Sequence, residues 1–346
     1  MNLYLMKETE IDWGNLTFSY MPTDFNVRCT YKDGKWGEIE VSDSEYIPMH
    51  IAASCLHYGQ ESFEGLKAYR GKDGKVRVFR MEENAKRFIR SAEGIKMQPM
   101  PVELFCEMVR KVVKLNERFV PPYGTGASLY IRPFEIGISP RVGVKPADEY
   151  MVVMLVTPVG PYFKAGFKPT KVCMSREYDR VAPKGTGSIK VGGNYAASLV
   201  AGEKAHELGY SVMLYLDPKE KKYLDECGAA NFFGVKNDTY ITPASESILP
   251  SITNMSLRQV AEDLGMKVEP RHIPVEELGT FEEAGACGTA AVISPICKVV
   301  DLDNGTEYTF GSETEAGPWS TKLYNHLRGI QYGEIEDTHG WTEVIE

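Results

Sequence analysis

Residues 183–195 have the sequence PKGTGSIKVGGNY, and the assignment of this chain to a fold starts from them. Glycine is the residue whose backbone is costliest to order, so a run this rich in it is typical of a surface loop. The run also suits a segment whose backbone must approach a ligand, with Lys190 held between small residues. Desolvation there favours the uncharged amine that can form a Schiff base. The segment matches neither the phosphate-binding P-loop nor the G-x-G-x-x-G dinucleotide pattern.

A second stretch, YLDECGAANFF at residues 223–233, contains the neighbouring carboxylates Asp225 and Glu226. Such a pair at the end of a strand is commonly a solvated edge or turn. Glu226 is flanked by apolar and small residues, however, and this predicts that its side chain is buried. A buried carboxylate needs a cationic partner, and the protonated nitrogen of a pyridine ring is one.

Two further stretches have the composition of ligand-binding turns. Residues 248–255, ILPSITNM, lead into a predicted helix, and the free N–H groups at a helix start can bind an anion. The alternative is ordinary N-capping by Ser251 or Thr253. Residues 285–291, GACGTAA, allow a backbone turn to come close to a ligand, although a tight turn before a buried strand explains them equally well.

The bulk composition is that of a globular protein, and 346 residues predict two domains. The net charge is −9, whereas proteins that bind nucleic acids usually have a basic surface, so no nucleic-acid partner is expected. No signal peptide and no apolar run of about 18 residues is visible, so no membrane contact is expected. The seven scattered cysteines favour reduced thiols in a cytoplasm, and the six histidines lack the spacing of a metal site.

Hydrophobic periodicity predicts an α/β (α+β) chain. The first half contains a β-hairpin at residues 68–79, helices at 81–95 and 102–119, and strands at 127–132 and 150–157. The second half contains helices at 194–208, 255–264 and 321–330 and strands at 211–216, 239–242 and 290–296. We predict a small N-terminal domain at 1–158, a connection rich in proline and glycine at 159–170, and a large C-terminal domain at 171–346 that carries Lys190.

Taken together and in this order, these stretches resemble the branched-chain amino acid aminotransferases, which are fold-type IV pyridoxal-phosphate enzymes. The resemblance extends over nearly the whole chain. In the small domain it rests on LHYGQESFEGLKAY at residues 56–69 and on LYIRP at residues 129–133. FEGLKAY followed by KVGGNY is specific to this family, and the resemblance implies a two-domain architecture of fold type IV.

The resemblance also implies roles in holding pyridoxal 5'-phosphate. Lys190 would be the Schiff-base lysine, and it would later move the α-proton of the substrate. Glu226 would bind the pyridine nitrogen, and Tyr195 would face the ring oxygen. The remaining cofactor ligands would be a phosphate-binding arginine, backbone and hydroxyl donors to the phosphate, and an apolar residue on the ring face: Arg87, Ile252, Thr253, Thr289 and Leu249.

Substrate-binding roles follow from the same resemblance. Thr289 and Ala290 would offer N–H groups to the substrate carboxylate, and Arg132 would receive the distal carboxylate of glutamate or 2-oxoglutarate. The side-chain pocket would have a wall of apolar and aromatic residues: Phe18, Tyr58, Phe63, Tyr130 and Tyr162.

The activity implied is transamination of L-leucine, L-isoleucine and L-valine with 2-oxoglutarate, in branched-chain amino acid biosynthesis. Because two half-reactions share one site, the kinetics would be ping-pong. The partners expected are these small molecules, their 2-oxo acids and glutamate, and a second copy of the chain, since members of the family are homodimers or higher homo-oligomers.

Other functions remain open from the sequence. D-amino acid aminotransferases and aminodeoxychorismate lyases share the lysine and the glutamate, but they are usually shorter and are not associated with FEGLKAY. A non-catalytic pyridoxal-phosphate-binding protein would lack the lysine or the glutamate, and both are present. In a plain α/β binding module, Lys190 would be a loop lysine only.

Overall fold

The computed structural model describes residues 11–161 and 166–346. The described residues divide into two compact units. Unit 1 contains the residues up to 161 together with Lys190–Gly192 and Gly329–Glu346, and unit 2 contains residues 166–189 and 193–328. Each unit contains a nine-stranded sheet. The α/β (α+β) class is therefore confirmed, while the predicted domain boundaries stay a prediction.

The sheet of unit 1 has the order β18-β6-β5-β7-β8-β1-β2, with β3 on β1 and β4 on β7. Its strands are β1 (Asn26–Lys32), β2 (Lys35–Trp36), β3 (Glu40–Ser42), β4 (Glu61–Phe63), β5 (Leu66–Arg70), β6 (Val76–Phe79), β7 (Ser128–Gly137), β8 (Tyr150–Val159) and β18 (Thr342–Val344). The helices are α1 (Ser54–Tyr58), α2 (Met81–Gly94) and α3 (Val102–Leu115), with a 3₁₀ turn at Glu117–Phe119. Apolar side chains of α2 and α3 and of the sheet form one core.

Two elements of unit 1 differ from the predicted ones. The strand predicted at 127–132 continues to Gly137, because β8 pairs with it along its whole length. The helix predicted at 102–119 ends at Leu115. The side chain of Asn116 exchanges hydrogen bonds with the backbone N–H and carbonyl of Phe25, at 3.1 and 2.9 Å, and so competes with helix continuation.

Glu135 on β7 is a buried acid without a charged partner in the described part of the chain. Neither carboxylate oxygen has a hydrogen-bond partner there, and the same holds for Oγ of Ser62, which is its register partner on β4. Burial in these surroundings raises the pKa of Glu135 from 4.5 to about 8. The carboxyl group is therefore neutral in the folded protein at pH 7.

Stability should consequently depend on pH through Glu135. The pKa of Glu135 is higher in the folded protein than in the unfolded chain. Its contribution to the free energy of unfolding is therefore fully present below pH 4.5, and it is lost as the pH rises from there through about 8. We expect the free energy of unfolding of the wild type to fall by about 2–3 kcal/mol more than that of E135Q between pH 6 and pH 9. Urea denaturation at both pH values measures this difference. The exposed-site variant E38Q should follow the wild type, and parallel pH profiles for E135Q and wild type would contradict the prediction.

The sheet of unit 2 has the order β11-β10-β9-β16-β15-β12-β13-β14, with β17 on β16, and β11 also pairs with β12. The strands from β11 to β12 therefore close into a ring. They are β9 (Thr170–Met174), β10 (Met213–Leu216), β11 (Leu224–Cys227), β12 (Ala230–Lys236), β13 (Thr239–Pro243), β14 (Lys267–Arg271), β15 (Glu283–Gly288), β16 (Val292–Asp301) and β17 (Glu307–Thr309). Three helices and a 3₁₀ helix complete the list: α4 (Gly192–Glu207), α5 (Ile252–Asp263), α6 (Pro318–Tyr332) and Val275–Thr280.

The three α-helices α4, α5 and α6 each begin earlier than periodicity predicted, because the first turn of a helix need not carry an apolar stripe. The helix predicted from residue 194 begins at Gly192, and the one predicted from residue 255 begins at Ile252. Across the described ranges, no helix is both long enough and apolar enough to cross a membrane.

Candidate active site

Lys190 is held by its backbone on both sides. Its N–H donates to Oγ of Ser91 on α2 at 2.9 Å, and its carbonyl accepts the N–H of Phe63 on β4 at 3.1 Å. The side chain is half-buried, with Nζ 4.7 Å from the centre of the Phe63 ring. These contacts fix the direction in which the amine points, which a solvated loop lysine does not require.

Steric crowding in unit 1 explains why the residue after Val191 is a glycine. The N–H of Gly192 donates to the carboxylate of Glu61, and a Cβ at this position would collide with that carboxylate. Burial raises the pKa of Glu61, although the Gly192 N–H and the charge of Arg132 oppose the shift. Sequence reasoning missed Glu61, even though it stands inside the motif at residues 56–69.

Four of the predicted substrate-pocket residues lie together in unit 1. The guanidinium of Arg132 donates to the Tyr130 hydroxyl at 3.0 Å and lies 4.8 Å from the centre of the Phe63 ring. The ring of Phe18 meets that of Tyr130 edge-on, with 5.0 Å between centres. A Cβ at Gly65 would collide with the Tyr130 hydroxyl, so the glycine at this position of FEGLKAY leaves room for the phenol.

Tyr58, another predicted wall residue, is not part of this cluster. Tyr58 ends α1 at the surface, where its hydroxyl donates to the carbonyl of Val142. It lines a shallow cavity of about 290 Å³ with Gln60 and Lys96 among its neighbours. Tyr162 lies outside the described residues. The substrate-binding roles of both tyrosines stay predictions.

Arg87, the predicted phosphate ligand, forms a buried ion pair. Its Nε and Nη2 donate to the two carboxylate oxygens of Glu64, each at 2.7 Å, and Asn84 donates to the same carboxylate at 2.7 Å. Burial alone would raise the pKa of Glu64, but Arg87, with help from Lys190 and Asn84, outweighs it and holds that pKa below its ordinary value. The pair fixes the orientation of the guanidinium, and sequence reasoning missed Glu64 as its partner.

Glu226 lies on β11 in unit 2 and is buried, as predicted, with 3% of its surface exposed. One carboxylate oxygen accepts the N–H of Leu249 at 2.5 Å and the side-chain amide of Asn231 at 3.5 Å. The other lies 3.6 Å from Nε of Arg180. The cationic partner that a buried carboxylate needs is therefore present in the chain itself, as Arg180, which no sequence pattern had indicated.

The start of α5 combines both explanations that the sequence left open. Oγ of Ser251 accepts the N–H of Asn254 at 3.2 Å, which is ordinary N-capping. The N–H groups of Ile252 and Thr253 belong to the first turn, where the helix itself provides no acceptor. The capped helix can therefore still present these two N–H groups to an anion.

Two other predicted positions lie at the ends of elements. Thr289 and Ala290 form the tight turn between β15 and β16, where their surfaces are partly exposed. Tyr195 lies near the start of α4 and is half-buried.

The donor set fits pyridoxal phosphate. An aldehyde needs a primary amine such as that of Lys190, and a protonated pyridine nitrogen needs a buried carboxylate such as that of Glu226. A phosphate group can be bound by helix N–H groups, such as those of Ile252 and Thr253 in unit 2, or by a cation, such as Arg87 in unit 1. Each chemical group of the cofactor thus has a side chain or backbone partner of the right kind among the described residues.

Comparison with known proteins identifies the family. The model of the class IV amino-transferases matches residues 61–299. A branched-chain-amino-acid aminotransferase from Haemophilus influenzae is 47% identical, over 97% of this chain and 99% of its own. The chain therefore belongs to the class IV aminotransferases and, among them, to the branched-chain-amino-acid aminotransferase family. The predicted family and the predicted enzyme class are confirmed.

Solved structures support the same assignment. The branched-chain amino acid aminotransferase of Escherichia coli has a TM-score of 0.77 and 26% identity, covering 94% of this chain and 100% of its own. A T.th. branched-chain amino acid aminotransferase in complex with N-(5'-phosphopyridoxyl)-L-glutamate has a TM-score of 0.76 and 26% identity, with the same coverage. The predicted fold-type IV architecture is thereby confirmed.

Proposed function

We propose that this branched-chain aminotransferase binds pyridoxal 5'-phosphate and transfers amino groups between L-leucine, L-isoleucine or L-valine and 2-oxoglutarate. The observation that carries the proposal is the conformation of Lys190, whose backbone is bonded on both sides and whose amine lies against Phe63. Further support comes from the T.th. relative, whose bound molecule joins a phosphopyridoxyl group to glutamate.

When bound, the cofactor supplies an electron sink for the substrate Cα. In the proposed reaction the amine of Lys190 would remove the proton from the substrate Cα and deliver it to C4′ of the cofactor. The negative charge of Glu226 favours a protonated ring nitrogen. Tyr195 would face the ring oxygen, Leu249 would pack on the ring, and Arg87, Ile252, Thr253 and Thr289 would bind the phosphate.

The same site accepts two kinds of side chain in turn, which gives ping-pong kinetics. The N–H groups of Thr289 and Ala290 bind the α-carboxylate in both half-reactions. Phe18, Phe63 and Tyr130, with Tyr58 and Tyr162, contact the branched aliphatic chain. Arg132 binds the γ-carboxylate of glutamate or 2-oxoglutarate, and its Nε is buried without a hydrogen-bond partner within the described ranges.

An assay with two readouts tests the proposal. The purified protein should absorb as a cofactor–lysine adduct, and borohydride should fix the phosphopyridoxyl group to a peptide that contains Lys190. L-leucine, L-isoleucine and L-valine should transfer their amino groups to 2-oxoglutarate, whereas the D-isomers should not. Transfer from D-amino acids instead would assign the chain to the D-amino acid aminotransferases of the same fold.

Arg132→Gln should discriminate between the two substrate classes. The KM for glutamate and for 2-oxoglutarate should rise about ten-fold or more, because a charged hydrogen bond contributes roughly 1.5–3 kcal/mol. Leucine carries no second carboxylate, so its KM should change far less. The control R70Q removes an arginine on β5 that bonds backbone carbonyls. Equal losses for leucine and glutamate in R132Q would mean that Arg132 holds the shape of the pocket.

We also propose that the chain acts as a homodimer in the cytoplasm. Apolar side chains on α4 remain exposed in the single chain, most of all Leu199 at 64% and Val200 at 67%. Ala196 and Ala197, one turn earlier, are exposed too. A helix that is apolar on its outer face is usually covered, and a symmetric pair of such faces lets a second copy cover it.

The double variant Leu199→Glu with Val200→Glu should therefore favour the monomer. A charge placed in an apolar interface loses its hydration without gaining a partner. Sedimentation velocity should show a wild-type dimer and a variant that sediments as a single chain at the same concentration. The control E262Q changes an exposed charge on α5 and should sediment as the wild type does. A double variant that still sediments as the wild type would exclude α4 from the interface.

A further inference from the structure

Glu226 is the end of a chain of buried side-chain hydrogen bonds in unit 2. The hydroxyl of Tyr240 donates to Oδ1 of Asn254 at 2.8 Å, and Nδ2 of Asn254 donates to Oδ1 of Asn231 at 3.1 Å. Nδ2 of Asn231 in turn faces the Glu226 carboxylate at 3.5 Å and donates to the carbonyl of Leu249 at 3.1 Å. All of these side chains are buried.

The direction of every amide in this chain is determined by one hydroxyl group. Oγ1 of Thr242 donates its only proton to the carbonyl of Phe232 at 2.8 Å. Toward Asn254, at 2.9 Å, it can therefore act only as an acceptor. Asn254 must turn its NH₂ group to Thr242 and its oxygen to Tyr240, so its orientation follows from the bonds around it.

Asn231 takes its orientation from Asn254. Because the second N–H of Asn254 points at Asn231, the oxygen of the Asn231 amide must accept it. The NH₂ group of Asn231 is left to face Glu226 and Leu249. The carboxylate of Glu226 thus meets only donors on this side, which is the arrangement that favours a negative charge in a buried position.

We propose that Asn231 and Asn254 are positioning residues for Glu226, and that Thr242 sets the polarity of their hydrogen bonds. This inference rests on the proposed role of Glu226 beside the cofactor nitrogen. Asn231 also bonds the carbonyl of Leu249, while the Leu249 N–H bonds Glu226. The same two amides therefore fix both the carboxylate and the residue proposed to pack on the cofactor ring.

Asn254→Asp reverses the donor–acceptor direction of the hydrogen bonds between residue 254, Asn231 and Glu226. The new carboxylate offers only acceptors, so the Asn231 amide must turn its NH₂ group toward it and its oxygen toward Glu226. We expect the dissociation constant for pyridoxal phosphate, titrated into apoprotein by absorbance, to rise about 10- to 100-fold. The pH dependence of the bound-cofactor spectrum should shift as well. The control N325D makes the same change at an exposed position on α6 and should bind the cofactor as the wild type does.

A double-variant cycle distinguishes the effect of reversed hydrogen-bond direction from that of a general loss of structure. E226Q removes the negative charge that the oxygen of a reversed Asn231 would face, whereas the wild-type carboxylate keeps that repulsion. N254D should therefore weaken cofactor binding less than about three-fold in the E226Q background, against 10- to 100-fold in the wild-type background. Equal losses in both backgrounds would show general damage and would overturn the inference.

Thr242 provides a second test that adds no charge. T242V removes the acceptor that orients Asn254 and should weaken cofactor binding, and T242S should restore it, since the serine hydroxyl can make the same two bonds. If wild-type protein fails to bind pyridoxal phosphate at all, the proposed function itself is wrong. If wild type binds but N254D and T242V bind equally well, only the positioning role is wrong.

Discussion

Lys190→Ala is expected to abolish amino transfer while the protein stays folded. The loss should be at least about 10³-fold, because one change removes both the covalent attachment point and a general base that alone contributes roughly 10²–10⁴-fold. Folding should survive, since the contacts that hold this segment to Ser91 and Phe63 use the backbone of Lys190, which alanine retains.

The lysine at position 184 gives a matched control, because it lies in the same glycine-rich stretch with an exposed side chain. K184A should transfer amino groups from leucine to 2-oxoglutarate at the wild-type rate. Borohydride should fix the cofactor in wild type and in K184A but not in K190A, and thermal unfolding should give similar midpoints for all three. A K190A protein that still turned over leucine near the wild-type rate would end the assignment of Lys190.

Glu226→Gln should slow amino transfer by about 10²- to 10⁴-fold while the cofactor still binds. Removing one partner of a buried charge pair costs roughly 3–5 kcal/mol, and each 1.36 kcal/mol is a factor of ten in rate. The amide is nearly the same size as the carboxylate and can still accept the N–H of Leu249, so local packing should persist.

Glu226 has an alternative explanation as a structural acid, because Arg180 already lies 3.6 Å away. The neighbouring Asp225 distinguishes the two. It is equally buried on the same strand, and burial raises its pKa even though Ser247 and the charge of Arg180 oppose the shift. D225N should retain turnover within a few-fold of the wild type. If D225N and E226Q lost activity equally, charge balance around Arg180 would explain both.

The sequence alone was sufficient for the family, the class of fold and the central elements. FEGLKAY and KVGGNY are short, local patterns, and they remain readable wherever the chain places them. Helix α2 was predicted to within a residue, because the spacing of its apolar side chains is encoded in the helix itself. The burial of Glu226 was predicted for a similar reason, from the small and apolar residues beside it.

Only the tertiary structure decided which residues meet. It paired Arg87 with Glu64, Glu226 with Arg180, and Gly192 with Glu61, and it placed β18 of the C-terminus against β6. Many carboxylates and arginines in this chain have the right chemistry for such pairs. The choice among them depends on strand register and helix docking between distant segments, and these are set by the packing of the whole core rather than by any local pattern.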